Sequence, residues 1–319
     1  MRGGAYGIPH NCGMSTKPKR LVVAINPSAS FGSTRDVGPA VVQTLRAMGH
    51  EVTSLTEPDF ESLIASAKAA VKSKPDALVV VGGDGMVNLG ANLVAETKVP
   101  LGIVPSGTGN DMARGLGIPI DNTEAAIELL GEALQREARV IDAGRIRWTE
   151  PDGTPGSRWF ACALSAGFDA IVNERANLMH HPKGPSRYII ALLAELARLK
   201  PRHYRLELDG RVVETDAVLV AAGNNVSLGG GMKITPDAVL DDGLLDVLIV
   251  KPLSRTAFLR IFPRVFQGTH TTDPRVVMKR AKRIRIDADA RLVAYADGER
   301  IAPLPLELEV EPGALRVLA

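Results

Sequence analysis

From Leu21 onward the apolar positions keep two alternating rhythms. "RLVVAIN" is a short β-branched run closed by "NPSAS", and "VGPAVVQTLRAMGH" places its apolar residues at helical spacing before a glycine. The same alternation predicts a strand in "EVTSLTEPD", a helix in "FESLIASAKAAVKS" and a strand buried on both faces in "ALVVV". A helix in "GMVNLGANLVAE", a fourth strand in "PLGIVP" and helices in "NDMARGLGI" and "NTEAAIELLGEAL" follow. Strands that are apolar throughout and separated by helices imply a parallel sheet covered on both sides.

After Arg139 the rhythm changes. "RVIDAGRIRW", "RWFACALSAGFDA", "YRLELDG", "RVVETDAVLVAAGN", "GLLDVLIVK", "RIRIDAD" and "RLVAYADG" read as strands between Gly, Pro and Asp turns. Only "SRYIIALLAELARLK" and "SRTAFLRIFPRVF" carry a helical period, so a mostly antiparallel second domain is predicted. The closing "PLELEVEPGALRVLA" is a strand whose place the pattern leaves open. These shifts divide the chain into a tail over 1–16, an α/β domain over 17–140 and a β-rich domain over 141–304.

Composition narrows the classes. The 319 residues, 45% of them apolar, suffice for one large or two medium cores. Lys and Arg number 38 against 36 Asp and Glu, so no nucleic-acid partner is expected from bulk charge. The two cysteines, Cys12 and Cys162, form no metal-spaced cluster, which points to a reducing cytoplasm. No apolar run approaches the roughly 20 residues of a membrane span, and the Gly-rich opening lacks an apolar signal core.

Candidate chemistry sits in two glycine loops, "GGDG" (Gly82, Gly83, Asp84, Gly85) and "GTGND" (Gly107, Thr108, Gly109, Asn110, Asp111), each following a predicted strand and opening a helix. In a parallel sheet such loops emerge at one edge, where backbone N–H groups and the helix dipole suit an anion. Two in tandem describe a polyphosphate clamp, although tight strand-to-helix turns alone also call for glycine. No Lys follows as in a Walker A loop, Met112 replaces the third glycine of a dinucleotide fingerprint, and Val104 replaces the first glycine of an esterase elbow.

"NPSAS", "GGDG", "PSGTGNDMAR", "PDAVLDDGLLDV" and "ADGE" occur here in the order of the diacylglycerol kinase-like lipid kinases, and the chain resembles that family from Leu21 onward. The resemblance implies a nucleotide-binding first domain like that of phosphofructokinases and NAD kinases, with 305–319 returning to it, and a β-sandwich lipid domain. It implies ATP held by Asn26, Pro27 and Ser28 together with Gly82, Gly83, Asp84, Gly85, Gly107, Thr108, Gly109 and Asn110, with Asp111 near the transfer site. It implies a magnesium ion (Mg2+) on Asp242 and the carbonyls of Val239 and Leu244, all hard oxygen ligands. Asp297 matches the family's general base, with Glu299 its acidic neighbour. Read alone, Asp242-Gly243 and Asp297-Gly298 are turn dipeptides.

The family's loop reads GGDGT with a Glu three residues after the Thr, whereas this chain has Met86 and Leu89. The expected activity is ATP-dependent phosphorylation of a lipid hydroxyl, diacylglycerol being the family default. NAD kinase and a catalytically silent lipid- or nucleotide-binding protein are the competing readings. The acceptor requires peripheral contact with the inner face of the membrane, for which the five basic residues of "MKRAKRIRI" are a candidate surface, unless they form a solvated strand face. His180 and His181 fall in a predicted loop, and a homodimer is compatible with the letters.

Overall fold

The computed structural model describes residues 17–27, 37–179, 190–191, 194–196, 198–288 and 292–319. Ser28 and the pair His180–His181 lie outside these, as do seven of the fifteen residues of "SRYIIALLAELARLK".

The first half follows the predicted alternation: β1 (Arg20–Ile25), α1 (Val37–Ala47), β2 (Glu51–Leu55), α2 (Phe60–Lys72), β3 (Ala77–Gly82), α3 (Asp84–Val94), β4 (Leu101–Pro105), α4 (Asp111–Gly115) and α5 (Thr123–Ala133). The helices start where short polar caps stand. Asp59 accepts from Ser62 N ahead of α2, and Asn122 accepts from Ala125 N ahead of α5. Strands β2, β1, β3 and β4 are parallel neighbours in that order. One apolar core containing Leu63, Val80 and Leu101 and another containing Val41, Val79 and Leu130 form from alternate residues of these strands.

The second half is β5 (Arg139–Thr149), β6 (Pro155–Phe160), β7 (Ala163–Gly167), α6 (Phe168–Leu178), β8 (Arg202–Leu208), β9 (Arg211–Ala217), β10 (Leu219–Gly223), β11 (Leu245–Val250), α7 (Arg255–Ile261), 3-10 turns over Phe262–Gln267 and Thr269–Thr272, β12 (Val276–Ala281), β13 (Arg283–Ala288), β14 (Val293–Ala296), β15 (Glu299–Pro303) and β16 (Leu306–Leu318). A six-stranded antiparallel sheet runs β12-β11-β10-β7-β14-β15. It shares an apolar core, with Phe160, Tyr204, Val247 and Ile284, with strands of the larger sheet.

Two predicted single strands are each two. "RWFACALSAGFDA" leaves the large sheet after β6, re-enters the other sheet as β7, and continues as α6. "RVVETDAVLVAAGN" breaks at Val218 between β9 and β10 in the same way. An unbroken apolar run says nothing of where a chain crosses between layers, because both layers bury it equally.

The large sheet continues β2-β1-β3-β4-β16-β13-β8-β9. Strand β16 enters antiparallel to β13, pairs with β5 over most of its length, and ends parallel to β4 at Val317↔Leu101 and Leu318↔Gly102. One strand therefore belongs to both halves, and position 140 lies inside β5. Among the described residues no helix is long and apolar enough to cross a membrane.

Candidate active site

The GGDG and GTGND loops lie at the same edge of the parallel sheet, because Gly82 is registered against Pro105 in the β3–β4 pair. They touch through glycine: a Cβ on Gly107 would sit 2.4 Å from the Cα of Gly83. Asn26 joins them, its N–H donating to the Val81 carbonyl at 3.1 Å. Gly83 caps α3 with no side-chain cap hydrogen bond, the arrangement that suits an anion at a helix N-terminus. The other helix end is filled from within. Asp84 Oδ2 accepts from Asn110 N at 2.9 Å and Asp84 Oδ1 from Asp111 N at 2.7 Å. Thr108 and Gly107 remain exposed at the loop tip.

Asp111 reaches in turn to the second half. Its two oxygens accept from Gly230 N at 2.8 Å and Gly231 N at 2.7 Å, where φ values of +85° and +92° call for glycine. The Asp111 carbonyl accepts from Asn225 Nδ2 at 2.9 Å. Asn225, Gly230 and Gly231 were not singled out in the sequence, since "AAGNN" and "LGGGM" match no motif spacing.

Asp297 is the first residue of a two-residue hairpin turn between β14 and β15, with φ +49° followed by +82° at Gly298 and the pair Ala296↔Glu299 closing it. The turn reading and the site reading of "ADGE" thus hold together. The side chain, 6% exposed, points to the crossing between β6 and β7. Its Oδ1 accepts from Cys162 N at 2.9 Å and Ala163 N at 3.0 Å; its Oδ2 accepts from Ala161 N at 2.8 Å and Asn88 Nδ2 at 3.3 Å. A carboxylate offers about four lone-pair directions, so donors occupy all of them. Asn88 is held by Arg158, whose Nη2 donates to Asn88 Oδ1 at 2.9 Å. Asn88 lies one turn into α3, so its period marks it as helix surface and hides its partner 209 residues away.

Asp84, Asp111, Asp297 and Cys162 line one cleft. Burial first, then the Asp111 carboxylate, pushes Asp84 up to about 6, with the Asn110 and Asp111 N–H groups pulling the other way. Burial likewise raises Asp297 against its four donors, and raises the Cys162 thiol far up. No ion pair recorded among the described residues relieves the three aspartates. The negative charge gathered here would attract a cation carried by a phosphate ligand, although each carboxylate oxygen already accepts a hydrogen bond from the protein. Glu299 stands farther out: its Oε1 would lie 3.6 Å from a Cβ on Gly85.

The Val239–Leu244 loop is apart from this cleft. Asp242 Oδ1 accepts from Leu244 N at 3.1 Å, and Asp242 Oδ2 pairs with Arg280, which also lies 3.4 Å from Asp246. Asp246 Oδ2 is buried without a hydrogen bond, and burial raises its carboxyl. Both oxygens of Asp242 are thus engaged within the protein, and Arg280 neutralises Asp242 and Asp246 together. Among the described residues no three His, Cys, Asp or Glu side chains group as a metal site. The basic run Met278–Ile286 ends β12 in the six-stranded sheet and begins β13 in the large sheet, and in it Arg280 meets Asp242 and Arg285 meets Glu307 at 2.8 Å. Met86, 1% exposed, and Leu89 are core residues of α3, which accounts for apolar side chains at those positions.

Glycine loops ending a parallel sheet, joined to a β-rich half that supplies an acidic hairpin turn, are the architecture of a kinase fold. Residues 20–146 match the diacylglycerol kinase catalytic domain, and residues 162–319 match the YegS C-terminal NAD kinase beta sandwich-like domain. The chain is 38% identical over 300 residues to a diacylglycerol kinase of Mycobacterium tuberculosis, covering 94% of each, and 25% identical over 291 residues to one of Bacillus subtilis, covering 91% of this chain and 92% of the other. A crystal structure of a Bacillus anthracis protein assigned as a diacylglycerol kinase superposes with a TM-score of 0.73 at 25% identity, covering 95% of this chain and 98% of that one. Yeast NADH kinase shares the fold, with a TM-score of 0.54 at 13% identity over 95% and 83% of the two chains. This chain belongs to the diacylglycerol kinase family.

Proposed function

We propose that this protein transfers the γ-phosphate of ATP to a lipid hydroxyl at a membrane surface, with diacylglycerol as acceptor and phosphatidic acid as product. One observation carries the reading. The cleft of Asp84, Asp111 and Asp297 adjoins a second, apolar cavity, and the two share Ser165, Leu228 and Met232 as walls. Anion chemistry and chain-binding space thus meet, as a phosphorylated lipid requires.

The α3 N-terminus, Gly83, Gly85 and the Gly107–Gly109 turn receive the phosphates, and Asn26 borders the same loops. Asp84 and Asp111 would face a magnesium ion brought in by the nucleotide, which would supply neutralisation of the phosphate charge. The acceptor oxygen attacks γ-phosphorus as the bond to the bridging oxygen breaks, and its proton passes to a carboxylate. Phosphoryl transfer needs positioning and charge neutralisation more than a strong base. Asp297 takes that proton once the acceptor hydroxyl replaces its longest donor, the Asn88 amide at 3.3 Å. Asp111 holds the Gly230–Gly231 loop and so fixes the second half against the nucleotide loops.

The test is transfer of labelled γ-phosphate from ATP with magnesium into a panel of lipid acceptors in mixed micelles, with NAD as a parallel acceptor. A labelled phosphatidic acid supports the proposal. Labelled NADP in its place, or nucleotide binding with no labelled product under any metal condition, overturns it.

A further inference from the structure

The stretch from Val247 to Thr272 contains no Asp or Glu, although those two make up 36 of the 319 residues, and it holds Lys251, Arg255, Arg260 and Arg264. It comprises most of β11, then α7 and the two 3-10 turns. The inner side of α7 and the first of those turns is closed. Phe258, Ile261, Phe262 and Val265 wall the apolar cavity, with Phe258 stacked on Phe262 at 5.5 Å and edge-on to Phe168 at 5.0 Å. The outer side recurs at helical spacing through Arg255, Leu259, Arg260, Pro263 and Phe266, all of them exposed. Arg264 is held inside the segment, donating to the Thr269 carbonyl at 2.6 Å.

The outward face of a surface helix is ordinarily polar. Here it carries Leu259 at 51% and Phe266 at 50% exposure beside arginines. Exposed apolar side chains flanked by cations, with no anion in the segment, suit a partner that is anionic at its surface and apolar beneath. The basic charge continues past the segment: Arg198, Lys200 and Arg202 line one hollow with Arg255 and Phe168, and Glu195 in that hollow is paired with Arg175. The Met278–Ile286 run is the competing basic surface, and its arginines bring their own acids, Arg280 with Asp242 and Arg285 with Glu307.

We propose that the outer face of α7 and the turn after it, from Arg255 to Phe266, seats the protein on an anionic lipid bilayer. Leu259 and Phe266 enter the headgroup boundary, and Arg255 and Arg260 meet lipid phosphates. The inner side of this same segment walls the apolar cavity, which shares Ser165, Leu228 and Met232 with the aspartate cleft. The docked face and the acids are thus joined through one segment and one cavity. That the bilayer supplies the acceptor rests on the lipid-kinase reading; docking itself does not.

The test is co-sedimentation of the full chain, without nucleotide, with vesicles of phosphatidylglycerol and phosphatidylcholine against vesicles of phosphatidylcholine alone. Binding is expected to the anionic vesicles and is expected to fall with added salt, which screens exposed charges. Arg260→Gln should weaken it about fivefold, the worth of one basic residue at such a surface. Leu259→Ser combined with Phe266→Ser should weaken it about tenfold or more, through apolar area that no longer leaves water. Lys279→Gln combined with Lys282→Gln should leave it unchanged. Equal binding to the two vesicle types, unaltered binding in both the Arg260 and the Leu259/Phe266 variants, a loss confined to the Lys279/Lys282 variant, or self-association through this face in place of vesicle binding overturns the proposal. The exposed Arg260 change decides even where the double serine variant does not fold. Vesicle binding without any labelled lipid product refutes the kinase reading and leaves docking standing; labelled product without vesicle binding refutes docking alone.

Discussion

Asp297→Asn is the most informative single change, because every partner of the carboxylate is a donor. The amide keeps one oxygen, which can still accept from Cys162 N and Ala163 N. Its Nδ2 then faces Ala161 N–H and the Asn88 amide, two donors against a donor. Asn88 cannot simply rotate, since its oxygen is held by Arg158 at 2.9 Å. An unpaired buried N–H costs about 1–3 kcal/mol, part of which removal of a buried charge returns, for a net loss of about 2 kcal/mol. At about 2 °C per kcal/mol for a chain of this size, the melting temperature falls by about 4 °C. Differential scanning fluorimetry at pH 7.5 reads this, with nucleotide binding and phosphate transfer measured well below the melt. Transfer is expected to vanish and nucleotide affinity to persist, the α3 cradle being untouched. A melting temperature within 1 °C of wild type would refute the four-donor anchor, and lost nucleotide affinity would make Asp297 a scaffold of the whole cleft.

Asp84 gives a pH signature: its folded pKa of about 6 lies above the ordinary 3.8. Its contribution to stability is therefore full below about pH 3.8 and is lost as pH rises through about 6, a change of about 1–2 kcal/mol after allowance for its partial exposure. In metal-free melts, the wild-type advantage over Asp84→Asn should shrink by about 2–4 °C between pH 4.5 and 7.5, and a constant difference would contradict the assigned shift. Gly107→Ala places a Cβ 2.4 Å from Gly83 Cα and should weaken nucleotide binding about tenfold or more by calorimetry, through separation of the two loops. If the Val239–Leu244 loop holds magnesium, the ion raises the wild-type melting temperature and Asp242→Ala abolishes that increment, whereas an equal response in both proteins removes Asp242 from the ligand set.

Much of this molecule is legible in one dimension. Period and turn chemistry specify β1 through α5 nearly to the residue, because each element buries its own face by local rules. The glycines of the two loops declare themselves for the same reason, since a sharp strand-to-helix turn is a local demand. The branch points are not local. Where β6 becomes β7, and β9 becomes β10, an apolar run changes sheets, and the pattern of burial is the same on both sides of the crossing. The N–H groups freed at Ala161–Ala163 then need an acceptor, and it comes from 134–136 residues away in a turn dipeptide. Asn88, Asn225 and the Gly230–Gly231 loop acquire meaning in the same way, from partners that no spacing encodes. The sequence by itself determined the glycine loops and the fold class, and offered the acids as candidates through its resemblance to a family. Tertiary structure alone decided how each acid is anchored, because hydrogen-bond satisfaction in a buried site is settled across layers rather than along the chain.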